Sequence, residues 1–570
     1  MYSIRNVSKF VTIRRCLPAS FRCWSSENAS GVVKSLLPDA DIPNISIPEY
    51  VLKNVHKYPQ KIALECAVTG RKYTYDDVLI KSRNFGKALR KRLNLKQGDI
   101  VAIMLPNVPE YPICIFGCLE TNIVVTTINP AYTPGEISKQ LLDTDAKAII
   151  TLAALYPAAE ASLQLTKQKI PIIATRINEE ELLPQGAINL HELINQTVDI
   201  EDVPLPNSTD TAMLLYSSGT TGLPKGVQLT HKNLIANISQ ADDPSLKLHL
   251  DTTELHQDII PAFLPIFHAF GLTSLLLTHI RPLCKILTVP NFTPEVFLNI
   301  LKTKNPHLLF AVPSLINLIS NHPAIKSEYV QSIRAVICAA APLSIQDEEK
   351  FFNKVGAHLA VKQGYGLTET SPCVSMTSTR ATKMGIHGSS GELLPNTMAK
   401  LINKDNSVVL QPNEPGELLV KGPQVMKGYF NRPEENKKSF VDGYFKTGDL
   451  CYFDRNQFLF VVERIKDLIK VKGFQVAPAE LEDLLRTHPD ILDAAVIGVN
   501  VSKYGEAPRA YVVAKPNRSL KINDVTEYVA KNVVDYKRLV GGVSVLDSLP
   551  KNSTGKILRK ELKRMYEAGK

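Results

Sequence analysis

The sequence predicts an α/β protein with a large N-terminal domain of two parallel-type sheets and a small β subdomain. A hinged, mobile α+β C-terminal domain follows. Three observations carry this prediction. Short, continuous apolar runs alternate with amphipathic stretches from about residue 40 onward, the pattern of strands buried on both faces. From about 390 to 462 the texture changes to short strands among frequent Gly, Pro, Asn and Asp turns, which indicates a small β unit. Beyond Lys466 a basic, mixed segment of about 100 residues has the size of a separate domain. A chain of 570 residues is too long for one hydrophobic core in any case.

The individual runs justify the elements. Ile100 to Leu105 reads as a buried strand closed by Pro106-Asn107, and Ala148 to Leu152 is similar. In the run Pro171 to Thr175 the proline occupies the first strand position, where a missing N–H is tolerated. His307 to Val312 and Ile333 to Ala340 are each expected to lead into a helix start containing proline. Ala212 to Tyr216 reads as a further strand, and Leu359 to Val361 as another. Near the C-terminus Ile557, Leu558 and Leu562 recur at near-helical spacing, so that tail is expected to be ordered.

Composition excludes several function classes. Apolar and charged shares of 44% and 21% are ordinary for a soluble globular protein. No run of about 18 apolar residues predicts a spanning helix, which leaves only peripheral contact with a membrane surface open. Nine scattered cysteines without a C-x-x-C pair argue against a disulfide framework or zinc site and favour a reducing compartment. The net charge of +10 is concentrated at the ends. Arg5, Lys9, Arg14, Arg15 and Arg22 precede the first acid, Glu27, and residues 551–570 hold seven bases against two acids. The near-neutral body argues against a nucleic-acid partner. Residues 1–28 combine Arg, Ser and β-branched residues without a continuous apolar core, the composition of a mitochondrial transit peptide. Mitochondrial import is therefore expected, with a cytoplasmic location the alternative. The end Ala568-Gly569-Lys570 is no peroxisomal S-K-L signal.

The most telling segment is Leu214 to Val227. A strand opens into a loop with four hydroxyls (Ser217, Ser218, Thr220, Thr221), three glycines (Gly219, Gly222, Gly226) and Lys225. Glycines allow backbone N–H groups to close around an anion, and the hydroxyls and lysine add donors and charge. This is a polyphosphate cradle, but no Walker A loop, because Lys225 is followed by Gly226. Four further clusters matter. Gln363-Gly364-Tyr365-Gly366-Leu367-Thr368-Glu369 follows the strand at 359–361. Its glycines allow a flat ring to approach, Thr368 offers a hydroxyl to phosphate, and Glu369 is a hard oxygen ligand suited to Mg²⁺. In Tyr444 to Asp449 a tight turn is expected to present Asp449 to both hydroxyls of a ribose. Glu463 to Phe474 alternates charged and apolar residues and reads as a hinge that aims Arg464 and the lysines at an anion. Pro550 to Ile557 presents Lys556 on a loop near the chain end.

In this order the clusters resemble those of the adenylate-forming (AMP-binding) acyl-CoA synthetases, especially the coumarate:CoA ligase and luciferase branch, over roughly residues 45 to 565. Further matches are Phe267-His268 and the segment Ala339 to Pro342, where Ala replaces the family's first glycine. The resemblance implies a carboxylic acid:CoA ligase that uses ATP, Mg²⁺ and CoA. Beyond the transit peptide that composition suggests (1–28), it divides the chain into an adenylation domain (29–463, β subdomain about 390–462) and a C-terminal domain (464–570) hinged at Lys466. It assigns Ser217, Ser218, Gly219, Thr220, Thr221 and Lys225 to the β- and γ-phosphates, Thr368 to the α-phosphate, and Glu369 to Mg²⁺. Ala341, Gln363 and Gly364 would line the adenine and acyl pocket, with His268 and Phe270 beside the acid. Asp449 and Arg464 would hold the ribose, Lys470 the adenylate, and Lys472 and Gly473 would approach CoA. Lys556 would act at the reacting phosphate.

Two departures bear on the acid. Glu463 stands where these relatives usually show Asp, and Phe270 where coumarate ligases carry Tyr. Without that hydroxyl the wall is apolar, which favours a medium- or long-chain fatty acid over a hydroxycinnamate. An aryl:CoA ligase, a luciferase-like monooxygenase and a carrier-loading adenylating enzyme are the alternatives.

Overall fold

The computed structural model of the protein describes residues 30–178, 180–200, 203–217, 224–356, 359–471, 474–501, 505–552 and 555–569. The expected transit peptide at 1–28 lies outside them.

Two layered sheets form the larger part. The first has eight strands in the order Gly428–Tyr429, Lys225–Thr230, Thr211–Ser217, Val124–Thr127, Ile100–Met104, Ala148–Leu152, Ile172–Thr175, Ile188–Asn189. From Thr211–Ser217 to Ile188–Asn189 the neighbours run parallel, as fully buried apolar runs require. Lys225–Thr230 turns back antiparallel and places Lys225 opposite Ser217. The second layer joins two sheets. Ile259–Ala262, Lys285–Thr288 and Ile62–Cys66 run parallel, with Lys72–Thr74 antiparallel at the edge. Leu308–Ala311, Ala335–Cys338 and Ala360–Gly366 are also parallel and are extended by the antiparallel Cys373–Met376 and Glu392–Leu393. The His307 N–H donates to the Ile259 carbonyl at 2.9 Å and links their edges.

An antiparallel six-stranded sheet contains Met398–Ile402, Gly416–Lys421, Phe440–Val441, Tyr444–Phe453 and Leu459–Arg464. Its outer strand, Val33–Lys34, comes from the beginning of the chain; two residues give too little periodicity to be read as a strand. Residues from Ile469 onward form a five-stranded sheet around the hairpin Ile491–Val501/Gly505–Ala514. Apolar clusters cover both of its faces. Val496, Val512 and Leu481 lie in one, and Ile497, Val513 and Leu562 in the other.

Two expectations need correction. Pro342 does not start a helix, because Ser344 is the N-cap and the helix runs Ile345–Val355. The strand expected at 359–361 continues to Gly366, so the Gly-Tyr-Gly motif lies within it. The tail is ordered as expected and forms the helix Arg559–Ala568, although of the three spaced apolar residues only Leu562 lies in it.

The helices Tyr75–Lys91 and Glu110–Glu120 pack backbone to backbone at two glycines. A Cβ on Gly86 would lie 2.4 Å from the Gly117 carbonyl oxygen. Because neither backbone can yield cheaply, Gly86→Val should destabilise the chain by about 1–3 kcal/mol. A lowered urea midpoint would register that loss; an unchanged midpoint would show that the helices can separate without cost.

Candidate functional site

The residues expected on the phosphate side converge on one tyrosine. Ser217, the last residue of its strand, donates Oγ–H to Glu369 Oε1 at 2.9 Å. Tyr429 donates its hydroxyl to the same oxygen at 3.0 Å. Glu369 sits in the short turn Thr368–Thr370 and is 7% exposed. Lys225 places its ammonium over the Tyr429 ring, 5.0 Å from the centroid, and forms an ion pair with Glu435. One ring therefore holds the acid through its hydroxyl and the base through its face. Burial, reinforced by the Glu369 charge, keeps the Tyr429 hydroxyl protonated as a donor. Burial and the charge of Lys225 both lower the pKa of Lys466, while Glu435 opposes them.

The second group surrounds Asp449. The expected tight turn is absent; Thr447, Gly448 and Asp449 form an irregularity inside the strand Tyr444–Phe453. Gly448 supplies it with φ of 72°, and Thr447 Oγ1 ties down the bulge by donating to the Leu418 carbonyl at 2.8 Å. Asp449 accepts from the Tyr365 hydroxyl at 2.6 Å and lies 3.2 Å from Nε of its cross-strand partner Arg464. Burial raises the Asp449 pKa against the pull of Arg464, Tyr365 and Lys556.

Lys556 reaches this group from the C-terminal segment. Its loop is closed by the Lys556 N–H to Asn552 Oδ1 (2.8 Å) and the Asn552 N–H to the Lys556 carbonyl (2.9 Å). A Cβ on Gly555 would meet Ser314 Oγ at 2.8 Å, so the loop lies directly on the start of the helix Pro313–Asn321. Burial and the like charge of Arg464 lower the Lys556 pKa, whereas Asp467 and Asp449 favour the ammonium.

The expected acid-side residues form a separate group. His268 is half-buried, with its ring 4.6 Å from that of Phe267. Burial pushes its pKa down to about 4, so the imidazole is neutral at physiological pH. Phe270 begins a π-helical segment, Phe270–Leu277, and meets the Phe310 ring edge-on at 5.9 Å. π-Helical turns are frequent at functional sites. Gln363 is fixed through its backbone to Thr377 (3.1 and 2.9 Å), and Gly364 lies 4.0 Å from Ala339 as measured from a built Cβ. Gly366 is required for a different reason than ligand approach, since a Cβ there would lie 1.9 Å from the Pro372 carbonyl oxygen. Ala341 is half-buried and follows Ala340, which adopts φ of 73°.

The structure thus brings together Ser217, Lys225, Glu369, Asp449, Arg464 and Lys556, with Thr368 adjacent to Glu369. It does not bring Lys470 to them: that side chain is exposed, and its N–H donates to Glu506 at 2.8 Å. Ser218, Gly219, Thr220, Thr221, Lys472 and Gly473 lie outside the described residues. Tyr365, Tyr429 and Glu435 have no role in the sequence reading. Tyr365 stands inside a quoted motif; Gly428-Tyr429 ahead of the Pro433 helix start was the available signal for the other two. Glu369 fits Mg²⁺: two hydroxyls fix Oε1, while Oε2 has no partner among the described residues. A single carboxylate suits a cation that shares its shell with water and phosphate, and among the described residues no three ligating side chains cluster.

Comparison with known proteins gives consistent matches. The family model "AMP-binding enzyme" matches residues 51–430, and "AMP-binding enzyme C-terminal domain" matches 480–556. The chain is 36% identical to 4-coumarate--CoA ligase 1 of Arabidopsis thaliana, covering 96% of this chain and 97% of the relative. A probable 4-coumarate--CoA ligase 3 of Dictyostelium discoideum is 34% identical over 94% and 98% of the two chains. Among solved structures, ATP-bound MatB from Rhodopseudomonas palustris superposes with TM-score 0.82 at 25% identity, covering 92% and 99%. The o-succinylbenzoate CoA synthetase MenE of Bacillus subtilis, with its acyl-adenylate intermediate, gives 0.76 at 28% identity over 92% and 99%.

Tyr365→Phe would leave the buried Asp449 with one donor fewer. A hydrogen bond to a charged group is worth about 1.5–3 kcal/mol, and chemical denaturation should show a loss in that range. No loss would mean that water replaces the hydroxyl.

Proposed function

The chain belongs to the AMP-binding enzyme family as an ATP-dependent, AMP-forming acid:CoA ligase, and we propose that the acid it activates is a medium- or long-chain fatty acid. The observation that carries the choice of acid is the wall behind His268, where Phe270 lies against Phe310 and offers no hydroxyl. The neutral His268 adds no charge there. A second reading, a hydroxycinnamate, is favoured by the names of the coumarate ligases that the chain resembles.

The proposed chemistry needs no protein nucleophile. A carboxylate oxygen of the acid bonds to the α-phosphorus of ATP as the bond to the bridging oxygen of pyrophosphate breaks. The CoA sulfur then bonds to the acyl carbon, and AMP leaves. The obstacle in the first step is one anion approaching another. Lys556, whose ammonium form Asp467 and Asp449 favour against burial and Arg464, is the group placed to favour that transition state. Lys225 would hold the departing pyrophosphate, Thr368 the α-phosphate, and Asp449 with Arg464 the ribose. Glu369 would hold Mg²⁺, which when bound neutralises phosphate charge. Ala341, Gln363 and Gly364 would border the adenine and acyl group. Lys556 must withdraw before the thiol enters, which a reorientation about Lys466 would accomplish.

Pyrophosphate release with C2 to C18 fatty acids and cinnamates, with and without CoA, tests the reading. Release greatest with a C8 or longer fatty acid is expected, and release greatest with a cinnamate would overturn the choice of acid. Phe270→Tyr should shift the panel toward hydroxycinnamates. Lys556→Ala should slow adenylate formation by about 10²–10³ while sparing CoA transfer from preformed acyl-adenylate; equal loss in both would remove Lys556 from its role.

We propose mitochondrial import from the basic, acid-poor first 28 residues. Fused to a fluorescent protein, they should direct it to mitochondria; a diffuse signal would refute this.

A further inference from the structure

We propose that Glu463 is a latch across the hinge, a positioning residue that holds the C-terminal segment where Lys556 lies near Asp449; the inference rests on the ligase reading above. Glu463 stands in the strand Leu459–Arg464, on the N-terminal side of Lys466. Its side chain is only 9% exposed, and its two oxygens face different partners. Oε1 accepts from the Arg464 N–H at 2.9 Å, within its own strand. Oε2 accepts from the Ala479 N–H at 3.1 Å, on the far side of the hinge.

Ala479 lies in the first turn of the helix Pro478–Arg486, whose N-cap is Ala477. An alanine has no side-chain acceptor for the unpaired N–H groups of a helix start. The helix therefore takes its acceptor from Glu463, and the negative charge also suits the helix N-terminus. Arg559 adds a second tie, with Nη2 3.9 Å from the same Oε2. Arg559 itself belongs to the C-terminal body: it pairs with Glu482, donates to the Val496 carbonyl at 2.9 Å, and lies 3.9 Å from Asp467. It also follows Lys556 by three residues, so fixing Arg559 fixes the root of the Lys556 loop.

The position of these contacts along the chain gives them a direction. Glu482, Asp467, Val496 and Arg559 all follow Lys466 and would travel together in a reorientation about it. Glu463 precedes Lys466 and would stay behind. Both Oε2 contacts are then lost, while the Arg559–Glu482 pair survives. A contact made in only one of two arrangements shifts the equilibrium between them. Glu463 thus favours the arrangement for adenylate formation and contributes nothing to the CoA step.

The test uses the full chain with Glu463→Ala and Glu463→Gln. Laurate-dependent ATP–pyrophosphate exchange reads the first step, and CoA acylation from synthetic lauroyl-adenylate the second. Loss of a cap and its charge corresponds to about a tenfold shift. Glu463→Ala should lower exchange by about that factor and leave CoA acylation within about twofold. Glu463→Gln, which keeps an acceptor, should fall between. Equal loss in both steps would indicate a merely structural role and overturn the latch, as would unchanged exchange. A second arm needs no substrate: trypsin should cleave at Arg464, Lys466 or Lys470 faster in Glu463→Ala than in the parent. Unchanged cleavage overturns the latch. Parent enzyme without laurate-dependent exchange would instead refute the fatty-acid reading and leave the trypsin arm as the test of the latch.

Discussion

The structure depends on one buried carboxylate. Asp449 is held by Tyr365 from the strand ending at Gly366, by Arg464 from its own antiparallel sheet, and lies near Lys556 from the C-terminal segment. Three separately folded parts of the chain therefore meet at one charge. Burying such a group costs free energy unless cations and donors surround it. Each of the three parts supplies one such partner. Removing any one leaves the others around an under-compensated charge, so the arrangement of the parts and the ionisation of Asp449 support each other.

Much of this was legible in the sequence, for identifiable reasons. Continuous apolar runs such as Ala148–Leu152 were read at their observed bounds, because a strand buried on both faces has no polar position to blur its ends. Ser217, Lys225, Glu369, Asp449, Arg464 and Lys556 were singled out because glycines and charges in an apolar context mark places where backbone and ligand approach. What stayed hidden depends on contacts distant in sequence. The strand Val33–Lys34 exists only through its pairing with Met398–Ile402. Tyr429 looks like an ordinary strand aromatic until Glu369 and Lys225 are seen on either side of it. In the sequence the glycines of the Gly-Tyr-Gly segment suggest only room for a flat ring to approach. In the fold they sit in a strand, and Gly366 is set by the Pro372 carbonyl that crosses it.

Two kinds of buried ion pair stand out. Arg559 with Glu482, and Arg71 with Glu110, tie together elements of one packed body. Lys225 with Glu435, and Arg464 with Asp449, belong to the candidate site, where under the proposed function a phosphate or a ribose would exchange for one partner. Pairs of the second kind satisfy buried charges before the substrate arrives. On that reading binding would replace one interaction by another instead of exposing a bare charge, which limits how far the site must rearrange.

The Tyr429 ring has a consequence for how such a site can vary. Its hydroxyl holds Glu369 and its face carries Lys225. The spacing of acid and base is thereby set by a rigid covalent disc and not by two independently adjustable side chains. Phenylalanine would keep the seat for the ammonium but release the carboxylate; histidine would shorten the disc and shift both. The residue works as a gauge block, and any alteration to it resets two ends of the site together.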